Sequence, residues 1–257
     1  MNLKNFIFDQ LNHFVEKKVN FKKVKKTLKK IIPYDVGYRL IRLGEDSDGG
    51  YLIPNDLKGV KYCYSAGVGF VTKFENDLMK KYNIKSFIID PNKIPKKIIP
   101  KKAKFINKHL AINESKDAIS INKFLNHNED IIFKMDIEGD EYLNLINVDE
   151  KKLSKIRIMI LELHDLRNLR SQFFFKTFDQ TINKLSKYFY FCHLHPNNTS
   201  KITKIGKIQI PDMLEVTLIN KKRVKFIPKV ISILPHKLDK KVDPNMKDIL
   251  LDKKILN

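Results

Sequence analysis

The chain has no tryptophan and only two cysteines in 257 residues. Cys63 and Cys192 are too few for a disulfide framework or a cysteine-rich metal site. Cys63 sits in an apolar, strand-like run and reads as a small buried residue, which suits a reducing cytoplasm. No run of 18 apolar residues exists, so no membrane-spanning helix is expected. Lys4, Asp9 and Glu16 interrupt the N-terminus, which lacks the continuous apolar stretch of a signal peptide. Arginine is scarce too: six of the 50 basic residues, the rest being lysine, in a chain of net charge +21. A charge of that size points to a polyanionic partner or an anionic membrane face. Arginine, however, is the residue preferred for bidentate phosphate and base contacts. A lysine excess amid abundant Asn and Ile reads as a composition effect, so nucleic acid is not the expected partner.

Hydrophobic residues make up 42% and charged residues 31%, enough for one sizeable core under a well-solvated surface. The pattern divides the chain into a basic N-terminal helical arm (1–35), one main domain (36–245) and a C-terminal tail (246–257), either free or docked. In the arm, Phe6, Phe8, Leu11, Phe14 and Val15 recur at helical spacing, and Lys22, Lys23, Lys25, Lys26, Lys29 and Lys30 follow. Such a segment either lies on anionic lipid, giving peripheral contact with the inner membrane face, or packs on the domain with its lysines in water. The second reading is favoured, and the cytoplasm is the expected location.

Arg39 to Tyr51 reads as strand–loop–strand around Gly49 and Gly50. The most regular stretch follows: a strand over Val60–Tyr64, the small-residue turn Ser65-Ala-Gly-Val-Gly69, a helix over Thr72–Tyr82 and a strand over Ser86–Asp90. That is a βαβ unit. Residues 91–104, rich in Lys and Pro, read as a surface loop, and 111–125 as a strand edge and a helix. Further strands are expected over Asp130–Met135, Ile156–Leu161, Tyr188–Leu194 and Met213–Ile219. Helices are expected through Tyr142, Leu145 and Ile146 and over Phe173–Leu185. The alternation predicts an α/β fold with a Rossmann-like, doubly wound, largely parallel sheet.

Open α/β sheets bind ligands at the carboxyl ends of their strands, so the residues just past each strand matter most. Past the first come Ser65, Ala66, Gly67 and Gly69, where glycine lets the backbone approach a ligand. The second ends in Asp90, placed as an acceptor for ribose hydroxyls would be. Thr72 stands where the dinucleotide fingerprint needs a small third residue, and no Lys-Ser/Thr phosphate loop is present. A cofactor without a pyrophosphate, such as S-adenosylmethionine, therefore fits better than NAD. Asp136, Glu138, Asp140 and Glu141 follow the next strand. Carboxylates there can hold a substrate hydroxyl, touch a cofactor or ligate a divalent cation such as Mg²⁺. A helix N-terminus accounts for Glu141 but poorly for Asp136. Glu162 and His164 follow one later strand, and His193, His195, Asn197 and Asn198 another. His164 or His195 can serve as general base, or both can join Asp136 in a metal site. His13, His109, His127 and His236 lack such context and read as surface residues.

Three segments resemble the FkbM-like methyltransferases: Gly44-Glu-Asp-Ser-Asp-Gly-Gly-Tyr51, Tyr64-Ser-Ala-Gly-Val-Gly69 and Lys134-Met-Asp-Ile-Glu-Gly139. Glu162-Leu-His164, His193-Leu-His-Pro-Asn-Asn198 and Pro211-Asp-Met-Leu-Glu-Val-Thr217 look like a bacterial branch of that family. The resemblance covers residues 36–245 and implies a Rossmann-like fold of the class I methyltransferase type that binds S-adenosylmethionine. By it, Ser65, Ala66, Gly67 and Gly69 would lie along the methionine part and Asp90 would hold the ribose. Asp48, Gly49 and Tyr51 would belong to a loop over the pocket, Glu75 is counted with the same cofactor set, and Asp136 would sit near the methyl group. Asp136, His164 and His195 are the expected catalytic set, with Glu138, Asn197 and Asn198 toward the acceptor. Pro196 departs from the small residue expected at that point. The activity implied is methyl transfer to an oxygen, on a sugar of a surface polysaccharide or a nucleotide-linked glycan. RNA, lipid or protein acceptors, or a non-catalytic module docking through its basic arm, are the alternatives.

Overall fold

Hydrophobic periodicity places the first helix of the computed structural model, which describes residues 16–231 and 233–256. Helix α1 (Phe21–Leu28) starts at Asn20, whose side chain accepts a hydrogen bond from Lys22 N at 2.8 Å. This satisfies one of the free N–H groups of the first turn. Val24, Leu28 and Ile31 enter the main core, while Lys22, Lys23, Lys26 and Lys29 are exposed. The basic run is thus the solvated face of a docked helix. Phe6, Phe8, Leu11, Phe14 and Val15 lie outside the described residues.

Seven strands form the central sheet. In chain order they are β1 (Tyr62–Ala66), β2 (Lys85–Ile89), β3 (Lys104–Ile106), β4 (Ile131–Met135), β5 (Ile156–Leu163), β6 (Phe189–Pro196) and β7 (Leu214–Asn220). Their order across the sheet is β6-β7-β5-β4-β1-β2-β3. β1 to β5 pair in parallel, and β7 runs antiparallel to both β5 and β6. Six strands therefore point one way and β7 opposes them. β4 and β7 are buried at every position, as near-continuous apolar runs must be when both faces of a sheet are covered.

The two faces have separate cores. Tyr64, Phe133, Met159 and Leu161 belong to the larger one, which includes residues of α1, α3 (Glu141–Asn147) and α4 (Gln172–Tyr188). Their sheet neighbours Cys63, Ile132, Ile158 and Ile160 pack with Phe74 and Leu78 of α2 (Lys73–Tyr82) and with Leu43, Tyr51 and Ile53 of the hairpin Leu40–Gly44/Gly50–Pro54. Alternating side chains divide between the faces because successive residues of a strand point oppositely.

The structure is therefore mixed α/β with a seven-stranded, mostly parallel central sheet. Several elements differ from the sequence expectation. Residues 104–106, at the end of the expected surface loop, form edge strand β3. The hairpin Ile202–Ile205/Ile208–Pro211 follows β6, and His109–Ala111 pairs in parallel with Ala118–Ser120. The tail is docked: Ile255 is buried in the main core, and Asp252 accepts a hydrogen bond from Gln209 N at 2.9 Å. Among the described residues no helix is long and apolar enough to cross a membrane.

Candidate functional site

Strand order reverses between β1 and β4, and their carboxyl ends converge there. β1 turns at Gly67, whose φ of +71° lies in the left-handed region. A Cβ at this position would stand 1.6 Å from the Asp136 carbonyl oxygen, so no side chain fits. Asp136 N in turn donates to Ala66 O at 2.9 Å, which locks the turn against the acidic loop after β4. Past β2, Asp90 Oδ2 accepts from Val68 N and Gly69 N, each at 3.0 Å, and its Oδ1 accepts from Asn92 N at 2.8 Å. Asp90 therefore shapes the glycine turn, with one acceptor direction on Oδ1 remaining.

A cavity of about 470 Å³ opens at this crossing. Of the residues singled out from sequence, Asp48, Gly49, Tyr51, Gly67, Gly69, Asp90, Asp136, Glu138 and Asp140 line it. Ser65, Ala66 and Glu75, all fully buried, do not, nor do His164, His195, Asn197 and Asn198. Glu75 lies 3.7 Å from Lys134 Nζ, and neither of its carboxylate oxygens has a hydrogen-bond partner among the described residues. Lys134 does line the cavity, with its ammonium 5.2 Å from the centre of the Tyr51 ring. That distance suits a cation–π contact.

The acids after β4 and β5 gather around one histidine. His164 Nε2 lies 3.7 Å from Asp136 Oδ1, 3.6 Å from Glu138 Oε2 and 3.7 Å from Glu162 Oε2. On the other side of the ring, Nδ1 faces Glu141 Oε1 at 3.2 Å. Glu141 is fully buried, and its two oxygens accept from Ile137 N at 2.8 Å and Gly139 N at 3.0 Å. One carboxylate thus ties down the loop carrying Asp136 and Glu138, the latter in a left-handed conformation at φ +58°. Tyr142 Oη donates to His164 O at 2.5 Å and fixes the backbone beneath the ring.

Burial pushes the Asp136 carboxyl up to about 6, despite the opposing charges of Lys134 and His164. Burial, and then the Asp136 charge, push Glu162 up to about 8. Burial alone would lower His164, but Glu141, Glu162 and Asp136 outweigh it and raise the imidazole to about 9. With no other cation bound, His164 is therefore imidazolium at neutral pH and holds charge rather than accepting a proton. Asp136, on the cavity wall with a value near neutrality, is the better proton acceptor.

His195 is not part of this group. It is buried on the β6–β7 ladder, where Nδ1 pairs with Glu215 Oε2 at 2.9 Å. Strand register puts Glu162, Glu215 and His195 in one cross-strand row. Asn197 Nδ2 donates to Glu162 Oε1 at 2.7 Å and so orients that acid. Asn198 Nδ2 donates to Asp243 O at 2.8 Å and anchors the C-terminal segment. Burial lowers His195, but Glu215, then Asp239 and Asp248, carry it above its ordinary value. A raised folded value stabilises the fold fully below the ordinary histidine value of 6.5 and loses that contribution as pH rises through the raised one. Glu215→Gln is expected to flatten the resulting alkaline fall in thermal midpoint; an unchanged slope in the variant would show that the pair carries no charge.

Sequence reasoning missed Lys134, Asn92 and His109, all on the cavity wall. Lys134 carried a signal, being a lone charge inside an apolar strand; His109 and Asn92 carried none. Glu141 is the helix-terminal acid expected from sequence, the first residue of α3, but its second role, bracing both the loop and His164, carried no signal. His127 stacks on Tyr62 with ring centres 3.7 Å apart, and His236 sits beside His193. His13 lies outside the described residues. No protein-family model matches the chain, and no curated protein matches it.

Proposed function

We propose that the chain is an S-adenosylmethionine-dependent O-methyltransferase of the Rossmann-like class I type. The observation that carries this reading is the cavity at the strand-order reversal, where the Gly67–Gly69 turn, Asp90 and Asp136 converge. Ligands of open α/β sheets bind at such crossings, and about 300–1,000 Å³ is the usual size of a small-molecule site. The reversed β7 between β5 and β6 departs from the six-stranded dinucleotide order.

The lining fits a cationic ligand. Asp48, Asp90, Asp136, Glu138 and Asp140 face the cavity of a chain whose net charge is +21. Asp136 Oδ1 is buried with no hydrogen-bond partner among the described residues, and Gly67 leaves the backbone bare where a ligand would pass. S-adenosylmethionine, when bound, supplies a methyl group on a positively charged sulfur. Asp136 stabilises that charge and accepts the proton of the attacking hydroxyl. Tyr51 and the Asp48–Gly49 loop line the cavity, where they would hold the two reactants in line and exclude water. The sugar acceptor rests on the resemblance of the loop and strand-end motifs, and the cytoplasmic setting on the two free, buried cysteines.

Calorimetric titration separates charge from shape. The wild type is expected to bind S-adenosylmethionine and the neutral S-adenosylhomocysteine in the micromolar range. Asp136→Asn should weaken the sulfonium ligand by about tenfold or more, equivalent to about 1.4 kcal/mol, and leave the thioether nearly unchanged. Absence of heat with either ligand would sink the reading.

A further inference from the structure

We propose that Asp136, Glu138 and His164 form a site for a divalent transition-metal cation, Mn²⁺ or Zn²⁺ rather than Mg²⁺, at the part of the cavity wall made by Asp136 and Glu138. One ligand atom from each of the three lies within 4.8 Å of the other two. Atoms bound to one ion at about 2.1 Å stand roughly 3 to 3.6 Å apart. The 3.6 and 3.7 Å separations from His164 Nε2 therefore need to close by only a few tenths of an ångström around an ion.

His164 points to a ligand independently of the acids. It is 6% exposed, and its Nε2 faces three carboxylates at distances beyond hydrogen-bond reach. On the side of the ring away from these acids, its Nδ1 faces Glu141 Oε1 at 3.2 Å. A carboxylate behind the far nitrogen of an imidazole is the usual support of a metal-bound histidine, fixing its tautomer and orientation. Asp136 Oδ1 is likewise buried and unpartnered.

Charge balance asks for a cation here. Asp136, Glu138, Glu141 and Glu162 surround one imidazole; backbone N–H groups offset Glu141 and the Asn197 amide satisfies Glu162, which leaves Asp136 and Glu138 as the acids a cation would balance. A proton on His164 neutralises one charge; a divalent ion neutralises two. Imidazole with carboxylate ligands suits Mn²⁺ or Zn²⁺, whereas Mg²⁺ prefers oxygen ligands and keeps its waters. Entry is open, since the Glu138 side chain is 87% exposed and the Asp136 side chain 25%. Three protein ligands leave positions free toward the cavity, as in catalytic rather than structural metal sites.

The site does not depend on the cofactor reading, so the test omits any cofactor. Untagged, chelator-stripped full-length protein is titrated with Mn²⁺ by electron paramagnetic resonance and with Zn²⁺ and Mg²⁺ by calorimetry. One equivalent of Mn²⁺ and of Zn²⁺ is expected to bind, with Mg²⁺ at least tenfold weaker. Glu138→Gln, at an exposed position, should weaken Mn²⁺ at least tenfold with the thermal midpoint unchanged, and His164→Gln should weaken it further. Glu129→Gln, on an exposed acid before β4, at the far end of that strand from Asp136, should change nothing. The proposal is overturned by absence of stoichiometric binding, by Mg²⁺ binding as tightly as Mn²⁺, by full binding in both ligand variants, or by equal losses in Glu129→Gln.

Discussion

Gly67→Ala is expected to lower stability by about 3 kcal/mol or more and to abolish ligand binding in the cavity. Two costs add. A left-handed conformation costs an alanine about 1–2 kcal/mol, and the new Cβ would stand 1.6 Å from Asp136 O and 2.7 Å from its carbonyl carbon. Those are backbone atoms in the locked crossing of β1 and β4, and forced overpacking of that kind costs about 1–3 kcal/mol. The displaced strand end carries Asp136 with it, so the charge at the cavity wall moves as well. Gly69 supplies the control within the same turn. Its φ is +50°, but a Cβ there meets nothing within 4 Å, so Gly69→Ala should cost only about 1–2 kcal/mol. Urea denaturation of both variants decides the matter. Equal losses would mean that conformation, not crowding against Asp136, sets the cost.

The same crossing shows how far the sequence could be read. The βαβ unit from β1 to β2 was legible because apolar runs, a glycine turn and an acid at the next strand end agree on one geometry. The hairpin around Gly49 and Gly50 was legible for the same reason. β3 was not, because three residues beginning with Lys104 carry too little pattern to distinguish an edge strand from a loop. The direction of β7 was not legible either: a buried apolar run looks alike in both directions, and only its pairing with β5 and β6 fixes it. Local pattern could place His164 and His195 equally, each just past an apolar strand. What separates them is partners far away in sequence. His164 meets the acids after β4, while Glu215 on β7 claims His195. That Asp90 also shapes the glycine turn was not legible, because its backbone donors, Val68 N and Gly69 N, meet it only once the turn is folded.

Lys134 and Glu75 were separated in the chain in the same way, and their pairing leads to the second large expected effect. Lys134→Met is expected to destabilise the fold by about 3–5 kcal/mol, the usual consequence of removing one partner of a buried pair. Glu75 is 0% exposed and Lys134 3%, so water cannot replace the missing charge. Glu75→Gln in the same background removes the stranded carboxylate, and the double variant should recover most of the loss. The double-mutant cycle isolates the pair term because both side chains keep their approximate volume. Recovery of stability should not bring back function. Lys134 lines the cavity and lowers the Asp136 carboxyl against the upward pull of burial, so its loss raises Asp136 further and removes that acid's charge near neutral pH. The double variant is therefore expected to fold well and to bind S-adenosylmethionine poorly. Should Lys134→Met cost under about 1 kcal/mol, the pair would be carrying no net charge in the native protein, and the role of Lys134 would be confined to the cavity.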